Sequence, residues 1–252
     1  MKIDFDNVWG NPKYIKNTPI YPVKVENMID FYEASNCLII PKNSMSDPAI
    51  IKMSYLSFLI AVSRNPEAEH LLDKLIKLIE LVTRGNDIGF YLDEKNKIVI
   101  SIDDKYSIHE RDFDKFREII GIQNLIETKD DSLGSDFDKA KADAKVHLSK
   151  KNGRMADLEQ QIFAYRCVQK LSYDEIRNLT IYQFRKEIER IDLIKSADIL
   201  QNAQYSGMVS FKEGTTIPHW LDHIKDKSSD DDLVLTKEQL DQISKKNGLV
   251  NK

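Results

Sequence analysis

The sequence predicts a mainly α-helical protein in which an N-terminal α+β domain is followed by an all-α helical-bundle domain. Three observations carry this expectation. In Leu179–Gly207, Ile181, Phe184, Ile188, Ile191 and Ile194 recur at steps of three and four, which places them on one face of a long helix. Ile88–Leu92 and Lys97–Ile102 flank Asp93-Glu94-Lys95-Asn96 in the pattern of a β-hairpin. Between these regions Thr128–Asp136 (TKDDSLGSD) has the polar, glycine-containing composition of a linker. The expected units are residues 1–127 as an α+β domain, 128–154 as a polar linker and spacer helix, 155–224 as a helical domain and 225–252 as a flexible charged tail.

In chain order, the residues through about Asn17 read as an irregular arm containing Trp9, Gly10 and Pro12. Pro19–Val25 is a short extended segment, restricted by its two prolines to an edge strand or to no sheet. Glu26–Cys37 is a short helix with Met28, Ile29, Phe31 and Tyr32 as its apolar residues, and Leu38–Ile40 is a strand or an extended exit. Asp47 is placed to cap a helix with Pro48 in its first turn, where a missing N–H costs nothing. Ile51, Tyr55, Phe58, Leu59 and Val62 carry its stripe to about Ser63. Asn65-Pro66 restarts the pattern, and His70–Val82 is a second amphipathic helix ended by Gly85, an antiparallel neighbour of the first. After the hairpin, Ser107–Gly121 contains a helix that buries Phe113, Phe116, Ile119 and Ile120.

Beyond the linker, Phe137–Leu148 is a helical spacer poor in large apolar residues, broken by Lys150–Arg154. Met155–Lys170 is an amphipathic helix carrying Leu158, Ile162, Tyr165 and Cys167, and Ser172 caps a short helix at Tyr173–Asn178. Thr180 and Gln183 have the spacing of a capping box for the long helix, and Gly207 is its natural stop. Met208–Ile224 is a loop with one short closing helix at Pro218–Ile224, and Leu235–Asn247 is a segment that folds against a partner.

Composition bounds the function. Of 252 residues 41% are hydrophobic and 31% charged, an ordinary globular mixture, and a net charge of −4 supplies no basic field for nucleic acid or anionic membrane. Cys37 and Cys167 are far apart in sequence, which points to a reducing compartment without a disulfide framework. The MKIDFDNVWG start lacks the apolar core of a signal peptide, and the most apolar window, Ile50–Val62, is too short to cross a bilayer. A cytoplasmic protein is expected.

Chemical signatures are sparse. His219 and His223 stand four apart in PHWLDH, a spacing zinc sites use on a helix, but Asp222 stands where the related metalloprotease pattern has its glutamate and no downstream glutamate in a helical context offers itself as third ligand. Leu171–Arg185 has the outline of a helix-turn-helix, with Arg185, Lys186 and Arg190 available for phosphates. The junction has no glycine, however, and Glu187, Glu189 and Asp192 are interleaved with the basic residues. Asp103-Asp104 and Asp230-Asp231-Asp232 lack the alternating spacing of a calcium loop. With no Gly-rich phosphate loop, nucleophile elbow or Cys/His cluster, the expectation is a non-enzymatic protein with no catalytic residue, no metal and no cofactor.

The segment from about Met155 to Ile224 resembles the helical tail-assembly chaperones of long-tailed bacteriophages of Gram-positive hosts. The residues behind this are the short helix SYDEI, the junction NLTIYQF, the charged-apolar run RKEIERIDLI, the glycine-closed end QYSGM and the late HWLDHIK. The resemblance implies an assembly factor that binds the tape-measure protein and tail-tube subunits during tail morphogenesis, possible self-association, a place in the host cytoplasm and absence from the mature virion. Alternatives are a structural tail or baseplate component, or a DNA-binding regulator. The long helix has the apolar anchors and charged rim that helix-in-groove recognition uses. With its main stripe spent on the bundle's own core, the candidate partner contacts are Tyr182, Arg185, Tyr205, Met208, Phe211 and Trp220.

Overall fold

The computed structural model describes residues 5–40, 42, 48–126, 157–207 and 217–224. It is mainly helical, with a two-stranded and a three-stranded sheet confined to the N-terminal part. The expected linker Thr128–Asp136, the spacer Phe137–Leu148, the break Lys150–Arg154, the 225–252 tail and the Asp47 cap lie outside the described residues.

The start of the chain is more regular than an irregular arm. Phe5–Trp9 is a short helix (α1), followed by Gly10 at φ 71° and by the Asn11 N–H donating to the Asp6 carbonyl at 2.8 Å. Lys13–Ile15 (β1) and Thr18–Ile20 (β2) then pair antiparallel, with Ile15 opposite Thr18. Lys16 takes a φ of 53° in the turn between them. Hairpin turns usually signal that conformation with glycine or asparagine, so lysine hides it. Pro19 lies in this two-stranded sheet, where a missing N–H is tolerated.

Val25–Asn27 is a 3-10 turn leading into Met28–Ser35 (α2), the expected helix. Met28 and Phe31 are fully buried, but Ile29 is 62% exposed and does not join them. Leu38–Ile40 is not a strand: Asn36–Ile39 forms a 3-10 turn. Side chains satisfy its carbonyls in place of a neighbouring strand. Tyr55 Oη lies 3.0 Å from the carbonyls of both Cys37 and Ile40, and Arg117 Nη2 donates to Leu38 O at 2.9 Å. The Arg117 guanidinium also stacks on the Tyr55 ring, 3.3 Å from its centroid.

The stripe expected from Pro48 to Ser63 is divided into Pro48–Lys52 (α3) and Tyr55–Ser63 (α4). Ser54 causes the break. Its Oγ accepts the Ser57 N–H and donates to Glu110 Oε1, which starts a new helix and leaves Ile51 44% exposed. His70–Thr83 (α5) packs on α2 and α4 and ends at Arg84, which takes the left-handed φ of 59° expected of Gly85. Gly85 has a different task, since a Cβ there would lie 2.5 Å from Ile102 Cγ2.

Ile88–Leu92 (β3) and Ile98–Ile102 (β4) form the expected hairpin, and Tyr106–His109 (β5) adds a third antiparallel strand in the order β3-β4-β5. That last strand differs from the helical expectation for Ser107–Gly121, being short and running straight into a 3-10 turn and Phe113–Asn124 (α6). Phe113, Phe116, Ile119 and Ile120 are buried on α6 as expected. Asn124 Oδ1 accepts the Val23 N–H at 3.0 Å, and Gln123 Nε2 donates to Ile20 O at 3.1 Å, tying the early chain to this helix.

The C-terminal helices are Leu158–Gln169 (α7), Tyr173–Asn178 (α8) and Ile181–Ser206 (α9). Ser172 and Thr180 each form a complete capping box, and Gly207 takes the left-handed C-terminal position at φ 67°. Cys167 is exposed rather than part of the α7 stripe. Tyr165, Ile176, Ile181 and Phe184 belong to the same buried cluster as Ile20, Phe31, Leu56 and Phe116, so both parts of the chain share one core. Among the described residues no helix is long and apolar enough to cross a membrane.

Candidate functional site

The 26-residue helix α9 is about 39 Å long at 1.5 Å per residue. Its two halves have different surroundings. At the N-terminal end the capping box fixes the helix start, Thr180 Oγ1 accepting the Gln183 N–H and Gln183 Oε1 accepting the Thr180 N–H. Gln183 also reaches the start of the chain, donating from Nε2 to the Val8 carbonyl at 2.8 Å. Gly10 approaches Thr180 so closely that a Cβ would sit 3.1 Å from Thr180 Cγ2.

A short strap completes this anchorage. The Val25 N–H donates to Leu179 O and the Ile181 N–H to Val23 O, both at 2.9 Å, in an antiparallel bridge of Lys24 with Thr180. Lys24 Nζ donates to Asn178 Oδ1 at 2.7 Å, and Arg177 pairs with Glu26 at 3.5 Å. On the adjacent side, Tyr165 of α7 sets its ring edge-on to Phe184, centroids 5.1 Å apart, and donates its hydroxyl to the Glu187 carboxylate. Burial, reinforced by Glu187, pushes the Tyr165 phenol well above its usual pKa and keeps it a donor.

The apolar stripe of α9 leaves the core as it runs outward. Ile181 and Phe184 are fully buried, and Ile188 and Ile191 are partly buried against the cluster. Farther along, Ala197 is still buried, but Ile199 is 67% and Tyr205 84% exposed. Arg190 ties a further segment to the helix, its Nη1 donating to the carbonyls of Trp220 and Asp222, each at 2.9 Å. That segment presents Trp220 and Leu221, 47% and 63% exposed.

The expected closing helix at Pro218–Ile224 is a single turn. The Asp222 N–H donates to His219 O, and Asp222 Oδ2 accepts the His219 N–H at 2.7 Å, which closes the turn on itself. His219 and His223 therefore do not stack on a helix face. His219 Nδ1 accepts the Leu221 N–H, and His223 Nδ1 lies 2.8 Å from Ile224 O. Among the described residues, no group of three or more His, Cys, Asp or Glu is placed to hold a metal ion.

The three basic residues with the register of a phosphate-binding face have other commitments. Arg185 Nη1 donates to Gln161 Oε1, Lys186 pairs with Glu189 at 2.9 Å, and Arg190 holds the Trp220 turn. Of the six candidate contact residues, Tyr182 and Arg185 sit half-buried on the anchored half, Tyr205 is exposed at the far end and Trp220 lies on the tethered turn. Met208 and Phe211 lie outside the described residues. Ile199, exposed off the stripe, carries no signal in the periodicity, and Arg190, expected only as a phosphate contact, has a role that depends on a partner 30 residues away.

With α7, α8, α9 and the tethered turn in place, this whole unit has a counterpart. Residues 149–225 match the family model of the YomV second domain. YomV is a phage-derived protein family, and the matched span is under a third of the 252-residue chain. The YomV-like segment begins ahead of α7 and ends just after the turn that Arg190 holds. No curated protein and no solved structure matches the chain.

A second concave region lies in the N-terminal part, an open groove of about 990 Å³ between the α3–α4 junction and the β3–β4 turn. Glu110 is its most buried acidic group. It accepts from Ser54 Oγ at 2.7 Å, Ser57 Oγ at 2.8 Å and the Ile98 N–H at 3.2 Å, with Lys97 Nζ at 3.7 Å. Burial alone would raise the Glu110 pKa, but these hydrogen bonds and the Lys97 charge outweigh it and hold the carboxyl below its usual value. A carboxylate bonded in this way joins three chain segments, around Ser54–Ser57, Lys97–Ile98 and Glu110 itself.

Proposed function

We propose that this is a phage protein that acts without catalysis or cofactor in tail assembly, as a chaperone for the tape-measure protein or tail-tube subunits in the host cytoplasm. The observation that carries the reading is the division of α9. Its first half is fastened by a cap, a strap and Phe184, while its second half extends outward with Ile199 and Tyr205 exposed. Exposed apolar side chains on an anchored helix offer contacts to a protein partner, and aromatic side chains are enriched among binding hot spots. The match of residues 149–225 to a phage-derived domain supports the setting. The commitment of Arg185, Lys186 and Arg190 to internal partners favours a protein ligand over a phosphate backbone.

The test is co-expression of the tagged protein with the neighbouring tail genes, followed by affinity capture and mass spectrometry. The expected result is recovery of the tape-measure protein with the wild type and at least about tenfold less with Ile199→Ala/Tyr205→Ala at an unchanged melting temperature. The chain should be absent from purified particles. Its presence there would make it a structural or baseplate component, and salt-sensitive capture of random duplex DNA would make it a regulator. Either finding replaces the chaperone reading.

A further inference from the structure

The two edges of the three-stranded sheet are treated differently. At β5, Thr18 Oγ1 from the neighbouring hairpin donates to Ser107 O at 3.0 Å and closes that edge. At β3 the register of the hairpin decides which groups face outward. The Asp93 N–H donates to Lys97 O and the Asp103 N–H to Asp87 O, so residues 87, 89, 91 and 93 bond to β4. The N–H and C=O groups of Ile88, Phe90 and Leu92 then point away from β4, and among the described residues no hydrogen-bond partner meets them.

Edge strands are usually protected by a charge, a proline, a bulge or a covering element. The β3 sequence, IGFYL, has neither a charged residue nor a proline, and its pairing with β4 runs without a bulge. It also leaves Tyr91 51% and Leu92 61% exposed.

We propose that β3 is the self-association edge of the protein, pairing antiparallel with β3 of a second copy about a two-fold axis at Phe90. The pattern is self-complementary. Outward groups on 88, 90 and 92 are symmetric about residue 90, so Phe90 bonds to Phe90 of the second copy and Ile88 to its Leu92. These are the hydrogen-bonded positions of an antiparallel ladder. At the intervening non-hydrogen-bonded position Gly89 meets Tyr91 of the second copy, so the exposed ring covers a residue without a side chain, a recognised stabilising pair in sheets. The exposed Leu92 meets Ile88 of the second copy on the other face. Both exposed apolar residues of the strand thus gain a cross-strand neighbour. The pairing ends at Leu92, because the Asp93 carboxylate turns back to accept the Lys95 and Lys97 N–H groups at 2.8 Å. Two five-residue strands bury less than a standard interface of about 1,600 Å², so the dimer is a weak and reversible one.

Sedimentation equilibrium of the full chain, up to about 1 mM, tests this; at that limit a dimer with a Kd of about 1 mM is still detectable. The wild type is expected to dimerise reversibly, with slowed hydrogen exchange at the amides of 88, 90 and 92 as concentration rises. Leu92→Pro removes an outward N–H while sparing every β4 bond, and Leu92→Lys supplies the missing charge should the proline variant fold poorly. A variant with wild-type far-ultraviolet dichroism is expected to associate at least about tenfold more weakly. A wild type that stays monomeric throughout, or a dimer unaffected by both substitutions and without protection at 88, 90 and 92, overturns the assignment.

Discussion

Replacing Phe184 with alanine tests whether the long helix and the N-terminal part fold as one body. Phe184 is fully buried, lies edge-on to Tyr165 at 5.1 Å and belongs to the cluster that also contains Phe31, Leu56 and Phe116. Truncating a buried phenylalanine costs about 3–5 kcal/mol, and losing an aromatic pair adds about 0.5–1.5 kcal/mol of its own, so the upper part of the first range applies. With a urea m-value of about 3 kcal/mol/M, the midpoint moves down by about 1–2 M. Far-ultraviolet dichroism and tryptophan fluorescence are the probes, since Trp9 sits in α1 beside the start of α9 and Trp220 on the turn tethered to it. A shared core requires one coincident transition in wild type and variant alike. The separation of the Phe184→Ala unfolding curve into two transitions, with a Leu56→Ala control moving only one of them, would refute a core continuous between the two parts.

Three further outcomes are expected. Thr180→Ala removes the acceptor for the Gln183 N–H and lowers stability by about 0.5–2 kcal/mol, while Thr180→Ser keeps it, as thermal melts will register. The Glu110 pKa is depressed in the folded protein, so its contribution is present above the ordinary carboxylate range and lost as pH falls through the folded value. Denaturant titrations stepped downward from about pH 6 should therefore show a shallower acid loss for Glu110→Gln than for the wild type. Cys37 is fully buried and its thiol is pushed up to about 12 by that burial, whereas Cys167 is exposed. A thiol reagent should consequently label one cysteine at once and the other only on unfolding, with Cys167→Ser abolishing the fast phase.

The elements legible in the sequence are those whose signals are local. The Ser172 cap and the Thr180 capping box each act on residues no more than three positions on, and the hairpin of β3 and β4 shows itself by its apolar runs and its turn. What stayed hidden depends on distant partners. The 3-10 turn at Asn36–Ile39 exists because Tyr55 and Arg117 satisfy its carbonyls, and the break between α3 and α4 is set by a serine that bonds Glu110. The candidate site divides the same way. The long helix and its stripe follow from periodicity, but that its packing on the buried cluster runs only from Ile181 to Ile191 depends on partners distant in sequence. PHWLDH carries helical histidine spacing, yet Asp222 folds back onto the His219 N–H and stops the segment after one turn.

The bridge between Val23–Val25 and Leu179–Ile181 joins segments more than 150 residues apart. During synthesis the early segment leaves the ribosome long before its partner exists. For that interval Val23 O, the Val25 N–H and the apolar faces that await Phe184 remain open to water and to other chains. Contacts of such sequence separation are reached late and slow the approach to the native state. The protein is therefore most exposed to misassembly while its C-terminal third is still being made, and any cut ahead of Leu179 would leave those backbone groups permanently unmatched.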